Sequence, residues 1–282
     1  MKILRSPSSA ARVCRSVSRP LVFVPTMGAL HEGHLSLIRR ARQLAGPKGT
    51  VAVSIFVNPT QFGPKEDLSR YPRPLEADMA KCRATGVDLL FLPEAAAFYA
   101  PDHSTWVDEA LLSTGLCGAS RPGHFRGVCT VVAKLFHLVA PDVAVFGKKD
   151  AQQLAILRRM VRDLDFQIKI VGVETHREAD GLAMSSRNQY LGAEERAAAP
   201  VLRRALLEAR AAAKAGVTAP AKLRARAVKM IQRAPLARID YVEAVDAETL
   251  TKPTSKTRKL LIAVAVFFGK TRLIDNIEVS LK

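Results

Sequence analysis

Two textures of apolar and polar positions divide the chain. From Leu21 to Glu174, apolar runs of strand length alternate with stretches whose apolar residues recur every three or four positions. Leu21 to Val24 predicts a strand that breaks at Pro25 and turns through Thr26, Met27 and Gly28. The following segment places Leu35, Ile38, Ala41 and Ala45 on one helical face. Residues 50 to 57 are nearly all apolar, as in a strand covered on both faces, and end in a polar loop at 58–63. Further strands are predicted at 88–92, 143–146 and 167–174, with short ones at 1–4 and 103–108. Helices are predicted after Pro74 up to Gly86, from the basic loop 121–127 to about Val139, and after Asp150 as N-cap.

This alternation implies βαβ units and a parallel sheet, a Rossmann-like α/β fold. From about His176 the texture changes. A polar loop at 177–188 precedes two alanine- and arginine-rich helices at 193–215 and 219–234, then strands at 239–245, 259–268 and 272–280. Helices followed by strands predict a smaller α+β domain with an antiparallel sheet. The expected division is 1–175 and 176–282.

Candidate chemistry falls in the loops. His31-Glu32-Gly33-His34, the loop from Asn58 to Gly63, and Gly147-Lys148-Lys149-Asp150 each follow a predicted strand directly. In open parallel sheets ligands bind outside the C-terminal strand ends, so these loops share one edge. A helix start carries unpaired N–H groups and the positive end of the dipole, which suits a phosphate. Gly33 offers no side chain to hold an anion away, and His31 and His34 can flank it. The spacing does not suit the zincin pattern, which has two residues between its first His-Glu and second His; here only Gly33 intervenes.

Composition adds bounds. Of 282 residues, 48% are hydrophobic, enough for a substantial core, and no apolar run reaches the roughly 20 residues of a membrane helix. Cys14, Cys82, Cys117 and Cys129 form no CxxC pair, a usage that suits a reducing cytoplasm without structural disulfides, and Cys129 reads as core. The net charge of +17 favours anionic ligands. Much of it falls on expected solvated helix faces, at Arg203, Arg204, Arg210, Lys222, Arg224, Arg226 and Lys229. The serine-rich, basic first twenty residues superficially resemble an organellar transit peptide.

The blocks VPTMGALHEGH, SIFVNPTQFGPKEDLSRYPR, RPGHFRGV, FGKKDAQQL, READGLAMSSRNQYL and TRLIDNI occur in this order across residues 21–280. Together they resemble the signature blocks of the pantoate–β-alanine ligases, a family of the HxGH nucleotidyltransferases whose Rossmann-like domain is shared with class I aminoacyl-tRNA synthetases. The resemblance implies that ATP and pantoate, with Mg²⁺, give pantoyl-adenylate and diphosphate, and that β-alanine then displaces AMP to give pantothenate.

It also implies site roles. Met27, Gly28, Ala29, Leu30, His31, Glu32, Gly33 and His34 would line ATP, with His34 protonating the leaving group. Gly147, Lys148, Lys149 and Asp150 would follow, with Lys149 and Arg187 as cationic donors. Ser185 and Ser186 would donate hydroxyls, and Met184 to Arg187 resembles the mobile KMSKS loop of the synthetases. Gln61 and Gln153 would bind pantoate, Gln61 also β-alanine, and Asp78 would be associated with Mg²⁺, with Glu76 and Asp150 as alternatives and a helix cap as the plain reading of any of the three. This chain departs from the family pattern at Lys148, usually Glu, at Ala151, usually aromatic, and at His176, usually aliphatic, where backbone contacts adenine. A homodimer is implied as well.

Two competing readings are weighed. A related nucleotidyltransferase would share HxGH but need neither the amide pair Gln61 and Gln153 nor the READGLAMSSRN block. A basic nucleic-acid-binding protein is invited by the charge, but four tyrosines and the single Trp106 form no stacking platform, and no specific nucleic-acid or membrane partner is expected.

Overall fold

A computed structural model describes residues 1–64 and 66–281. The chain divides into two compact units. The first comprises residues 1–110, 121–148 and 156–174, and the second 111–120, 149–155 and 175–282.

In the first unit, strands β1 (Lys2–Leu4), β2 (Leu21–Thr26), β3 (Thr50–Ile55), β4 (Leu89–Phe91), β5 (Val143–Gly147) and β6 (Lys169–Val173) form one sheet. Among the described residues its order is β1-β4-β3-β2-β5-β6, and every pairing is parallel. The chain winds outward from β2 through β3 to β4, then returns to place β5 on the other side of β2. That reversal puts the crevice favoured for ligands at the end of β2. Helix α1 (Pro7–Arg15) lies ahead of β2, and α2 (Glu32–Ala45), α3 (Leu75–Ala84) and the single turn α4 (Ala95–Phe98) follow. The short α5 (Cys117–Ser120) belongs to the second unit, α6 (His124–Val139) to the first, and α7 (Ala151–Asp163) begins in the second and ends in the first. Val22, Val24, Val51, Val53, Leu90 and Val145 meet Ile38, Ala41, Met79 and Cys82 in one apolar layer.

The α/β expectation holds, with three corrections in this unit. Helix α1 is not predicted, because its serines and arginines hide a cap: Ser6 Oγ accepts the Ser9 N–H and Ser9 Oγ accepts the Ser6 N–H. Its Ala10 and Cys14 are buried, and it packs on α6. Residues 103–108 form no strand; Val107 instead bonds Thr130 Oγ1 through its N–H at 3.0 Å, so a side chain does what a neighbouring strand would. The last strand is shorter than predicted, since Asp165 turns in a left-handed conformation just before it.

The second unit stacks helices α8 (Ala193–Ala198), α9 (Val201–Lys214) and α10 (Pro220–Ile231) with an antiparallel sheet β7-β8-β9, whose strands run Ala237–Asp246, Lys259–Phe268 and Thr271–Ser280. Pro200 lacks an N–H to continue the ladder, so the single helix expected at 193–215 is two. Leu202, Leu206, Ala209, Leu223 and Ile231 pack on Ile262, Val264 and Val266.

Two segments on the N-terminal side of the expected division at 175/176, residues 111–120 and 149–155, group with the second unit. The Gln152 carboxamide explains part of this. It accepts the Cys117 N–H at 2.9 Å and donates to the carbonyls of Leu112 and Gly115, both at 2.8 Å. Ser120 Oγ donates to Asp240 on β7, and Arg272 on β9 reaches both Asp240 and Cys117 Sγ. Such pairings are long-range and carry no local pattern.

Candidate functional site

The turn after β2 is built on two left-handed residues, Gly28 (φ 83°) and Ala29 (φ 50°). A Cβ at Gly28 would lie 2.9 Å from Ile55 Cγ2, so space as well as φ demands glycine. Thr26 Oγ1 donates to the Ser54 carbonyl and accepts the Gly28 N–H, tying the turn to β3. The carboxylate of Asp78 on α3 then takes the next two N–H groups: Ala29 at 2.7 Å on Oδ2 and Leu30 at 2.8 Å on Oδ1. Lys81, one turn further along α3, donates to the Leu30 carbonyl.

This geometry bears on the metal expectation. Asp78 is 1% exposed and both its oxygens are committed to backbone N–H groups, so it does not fit a Mg²⁺ ligand and acts as a clamp on the turn. Among the described residues no group of three or more His, Cys, Asp or Glu is placed to hold a metal ion. Glu76, like Asp78, lies in the acidic first turn of α3.

The histidine pair caps α2. His31 Nδ1 accepts the Gly33 N–H at 3.2 Å and His34 Nδ1 accepts the His31 N–H at 3.3 Å, with the ring centroids 4.1 Å apart and the rings tilted by 38°. A ring nitrogen that accepts carries no proton, so each neutral ring bears its proton on Nε2. Both histidines are therefore fixed as Nε2–H donors at the start of a helix, a feature no sequence pattern specifies. Glu32 pairs with Arg39 along the same helix.

Gln61 is held from every side. Its Oε1 accepts from Asn58 Nδ2 and its Nε2 approaches Met27 Sδ, both at 3.1 Å. Its carbonyl accepts from His124 Nδ1 at 2.9 Å and from Arg121 Nη2 at 3.3 Å. Asn58 also donates to the Gly127 carbonyl and accepts from Tyr99 OH and Thr60 Oγ1. Helix α6 approaches so closely that a Cβ at Gly127 would sit 2.4 Å from the Thr60 carbonyl oxygen. Arg121 is itself paired with Glu66 through Nε and Nη2. Burial alone would raise the Glu66 carboxyl, but hydrogen bonds and charge from Arg121, with His124, outweigh it and hold it below its ordinary value. Asn58, Lys81, Glu66, Arg121 and His124 have no role predicted from sequence, although all but Lys81 lie within the quoted blocks.

In the first unit the structure thus gathers Met27 to His34, Gln61 and Gly147 at the ends of the adjacent strands β2, β3 and β5. Lys148 points to Glu174 at the end of β6 and forms an ion pair, so its extra charge is locally compensated. In the second unit, Lys149 and Asp150 close a 3₁₀ turn begun at Lys148, and Gln153 follows in α7. The READGLAMSSRN block folds back on itself: Arg177 and Ala183 bridge, and the His176 carbonyl accepts the Met184 N–H. Ser185 Oγ accepts the Arg187 N–H and caps the 3₁₀ helix Ser186–Tyr190. Glu178 and Asp180 pair with Arg196, and Glu178 accepts from Asn188 Nδ2. The loop expected to be a mobile flap is hydrogen-bonded at its base.

Two outcomes follow. Asp78→Ala orphans two buried N–H groups, each costing about 1–3 kcal/mol, and urea unfolding is expected to show a loss of about 2–5 kcal/mol; unchanged stability would release the carboxylate for another role. Because the Glu66 pKa is depressed on folding, its contribution is present above the ordinary carboxylate value and is lost as pH falls through the depressed one. The gap in thermal midpoint between the wild type and Glu66→Gln is therefore expected to be full at pH 7 and to close below about pH 4; a gap independent of pH would remove the charge from the explanation.

Comparison with known proteins places this arrangement. The family model described as pantoate-beta-alanine ligase matches residues 2–278. A pantothenate synthetase of Akkermansia muciniphila is 55% identical over 259 residues, covering 92% of each chain. One from Fervidobacterium nodosum is 49% identical over 284 residues, covering 99% of this chain and 100% of its own. The crystal structure of pantothenate synthetase from Thermus thermophilus superposes with a TM-score of 0.92 at 46% identity, covering 99% of this chain and 100% of that one. That of a pantoate-beta-alanine ligase from Francisella tularensis, complexed with beta-gamma ATP and beta-alanine, gives 0.80 at 32% identity, covering 98% and 97%. With its turn after β2, its paired histidines and its clamped glutamine on this scaffold, the chain belongs to the pantoate–β-alanine ligase family.

Proposed function

We propose that the paired Nε2–H donors of His31 and His34 are the centre of an ATP-dependent condensation of pantoate with β-alanine, and that the observation carrying this reading is their backbone-fixed tautomer at the start of α2. In the first half a pantoate carboxylate oxygen attacks the α-phosphorus of ATP, and the bond to diphosphate breaks. Charge grows on the departing phosphates, and donors already aimed there stabilise it without reorganising. His34 donates a hydrogen bond from its Nε2–H to the departing phosphate oxygens, the neutral ring keeping its proton, and His31 donates beside it. The helix start and the turn Met27, Gly28, Ala29, Leu30, Glu32 and Gly33 line the nucleotide.

For the second unit, we assign Lys149 and Arg187 as charge-assisted donors to the phosphates and Ser185 and Ser186 as hydroxyl donors. Gly147, Lys148, Asp150, His176 and Met184 complete the ATP contacts. Gln61 and Gln153 take pantoate, an amide being able to donate to its carboxylate and accept from its hydroxyls. Bound with ATP, Mg²⁺ would be held mainly by triphosphate oxygens, with one carboxylate and waters, and would offset the phosphate charge. In the second half the β-alanine amine, positioned at Gln61, attacks the acyl carbonyl, the bond to the phosphate oxygen breaks, and AMP leaves. We assign the cytoplasm as compartment and a homodimer as assembly, the latter resting on family membership; sedimentation equilibrium giving a monomer at micromolar concentration would remove it.

Diphosphate release from ATP, Mg²⁺ and pantoate tests the reaction. Without β-alanine, one equivalent or less is expected, and with it multiple turnovers. His34→Ala is expected to slow the first step by about 10²–10³. No pantoate-dependent release from folded, ATP-binding protein would overturn the reading in favour of another acceptor.

A further inference from the structure

The TRLIDNI block lies on β9, and the reaction as described gives it no part. Alternation along β9 buries Leu273, Asp275 and Ile277 toward the helices, while Arg272, Ile274 and Asn276 face the other side of the sheet. Asp275 is thus a carboxylate set in an apolar row, 3% exposed. Its oxygens accept both terminal nitrogens of Arg177, at 2.7 and 3.0 Å. Arg177 also donates to the Gly181 carbonyl, so one guanidinium spans the stem of the 176–190 loop and fastens it to the strand. The next residue reaches the opposite way. Asn276 Nδ2 donates to the Lys149 carbonyl at 2.7 Å, and the Asn276 N–H is itself bonded to Asp275 Oδ1.

We propose that Asp275 and Asn276 are positioning residues for adenylate formation: one strand dipeptide sets the Ser185–Arg187 donors from one face of the sheet and the Lys149 donor from the other. This rests on the assignment of those donors to the phosphates. Neither residue is assigned a contact with substrate; each acts through its partner, Arg177 or Lys149. Because neighbouring strand positions point to opposite faces, a dipeptide is the smallest unit that can fix two separate segments from one point of backbone. A bidentate Arg–carboxylate pair also fixes orientation as well as distance, which a flexible loop stem requires.

The test compares Asn276→Ala, Asp275→Asn and the neutral pair Arg177→Met/Asp275→Leu, which removes the ion pair without stranding a buried charge. Adenylation-limited kcat/KM for ATP is expected to fall about 10–100-fold in all three, since small misplacements of donors cost that much, with KM for β-alanine unchanged. Hydrogen exchange is expected to quicken in 149–155 for Asn276→Ala and in 176–190 for the Asp275 variants. Since Asn276 acts through Lys149, Asn276→Ala on top of Lys149→Ala is expected to add less than twofold. Full ATP kinetics in a folded Asn276→Ala and in the neutral pair would overturn the proposal. So would restored kinetics in the neutral pair alone, which would make the ion pair purely structural. If Lys149→Ala and Arg187→Ala themselves leave ATP kinetics intact, the donor assignment fails first and the dipeptide has nothing to position. Loss in those two with no loss at 275 or 276 refutes the dipeptide alone.

Discussion

Two backbone N–H groups, those of Ala29 and Leu30, end on one buried carboxylate, and much of the first unit's site depends on that contact. The turn after β2 must reverse in left-handed geometry, which is unfavourable for Ala29 and leaves N–H groups facing inward. Asp78 satisfies them from α3 and so fixes where α2 begins. Once α2 begins at Glu32, His31 and His34 fall into mutual capping positions and their tautomers are set. The donors offered to a phosphate are thereby determined by a carboxylate some forty residues away that need not meet the substrate.

The same economy governs Gln61. Its amide is oriented by Asn58 and Met27, its backbone by His124 and Arg121, and Arg121 by Glu66. Polar groups buried this deeply are costly unless each is paired, and here the pairing leaves a rigid cradle in place of an adaptable loop. Gly127 lets α6 come close enough to complete it.

The charge of +17 is distributed less simply than composition implies. Arg226 does pair with Glu208 on an open helix face. Arg203, expected to be solvated, is half-buried, and burial followed by repulsion from Arg177 lowers its pKa. Arg177, Arg121 and Arg272 are spent on carboxylates within their own units. All four cysteines are buried and free, and burial pushes the Cys129 thiol up to about 12, consistent with core packing.

Periodicity is sufficient for the parallel and antiparallel sheets, because burial of one face or two imprints itself on every second or every third to fourth residue. The strand β8 is predicted at 259–268, the bounds it has in the structure, since both of its faces are covered. The motif blocks likewise name the loops that carry Gln61, the histidines and Lys149. What the sequence cannot say is which partner each polar residue takes. Asp78, which the resemblance associates with a metal, accepts two backbone N–H groups, and 111–120, expected in the first domain, groups with the second unit. Asp275 and Asn276 read only as part of a signature. A carboxylate looks the same in sequence whether it faces a cation, two N–H groups or an arginine. Its role is decided by contacts between residues tens of positions apart, and only folding brings those together.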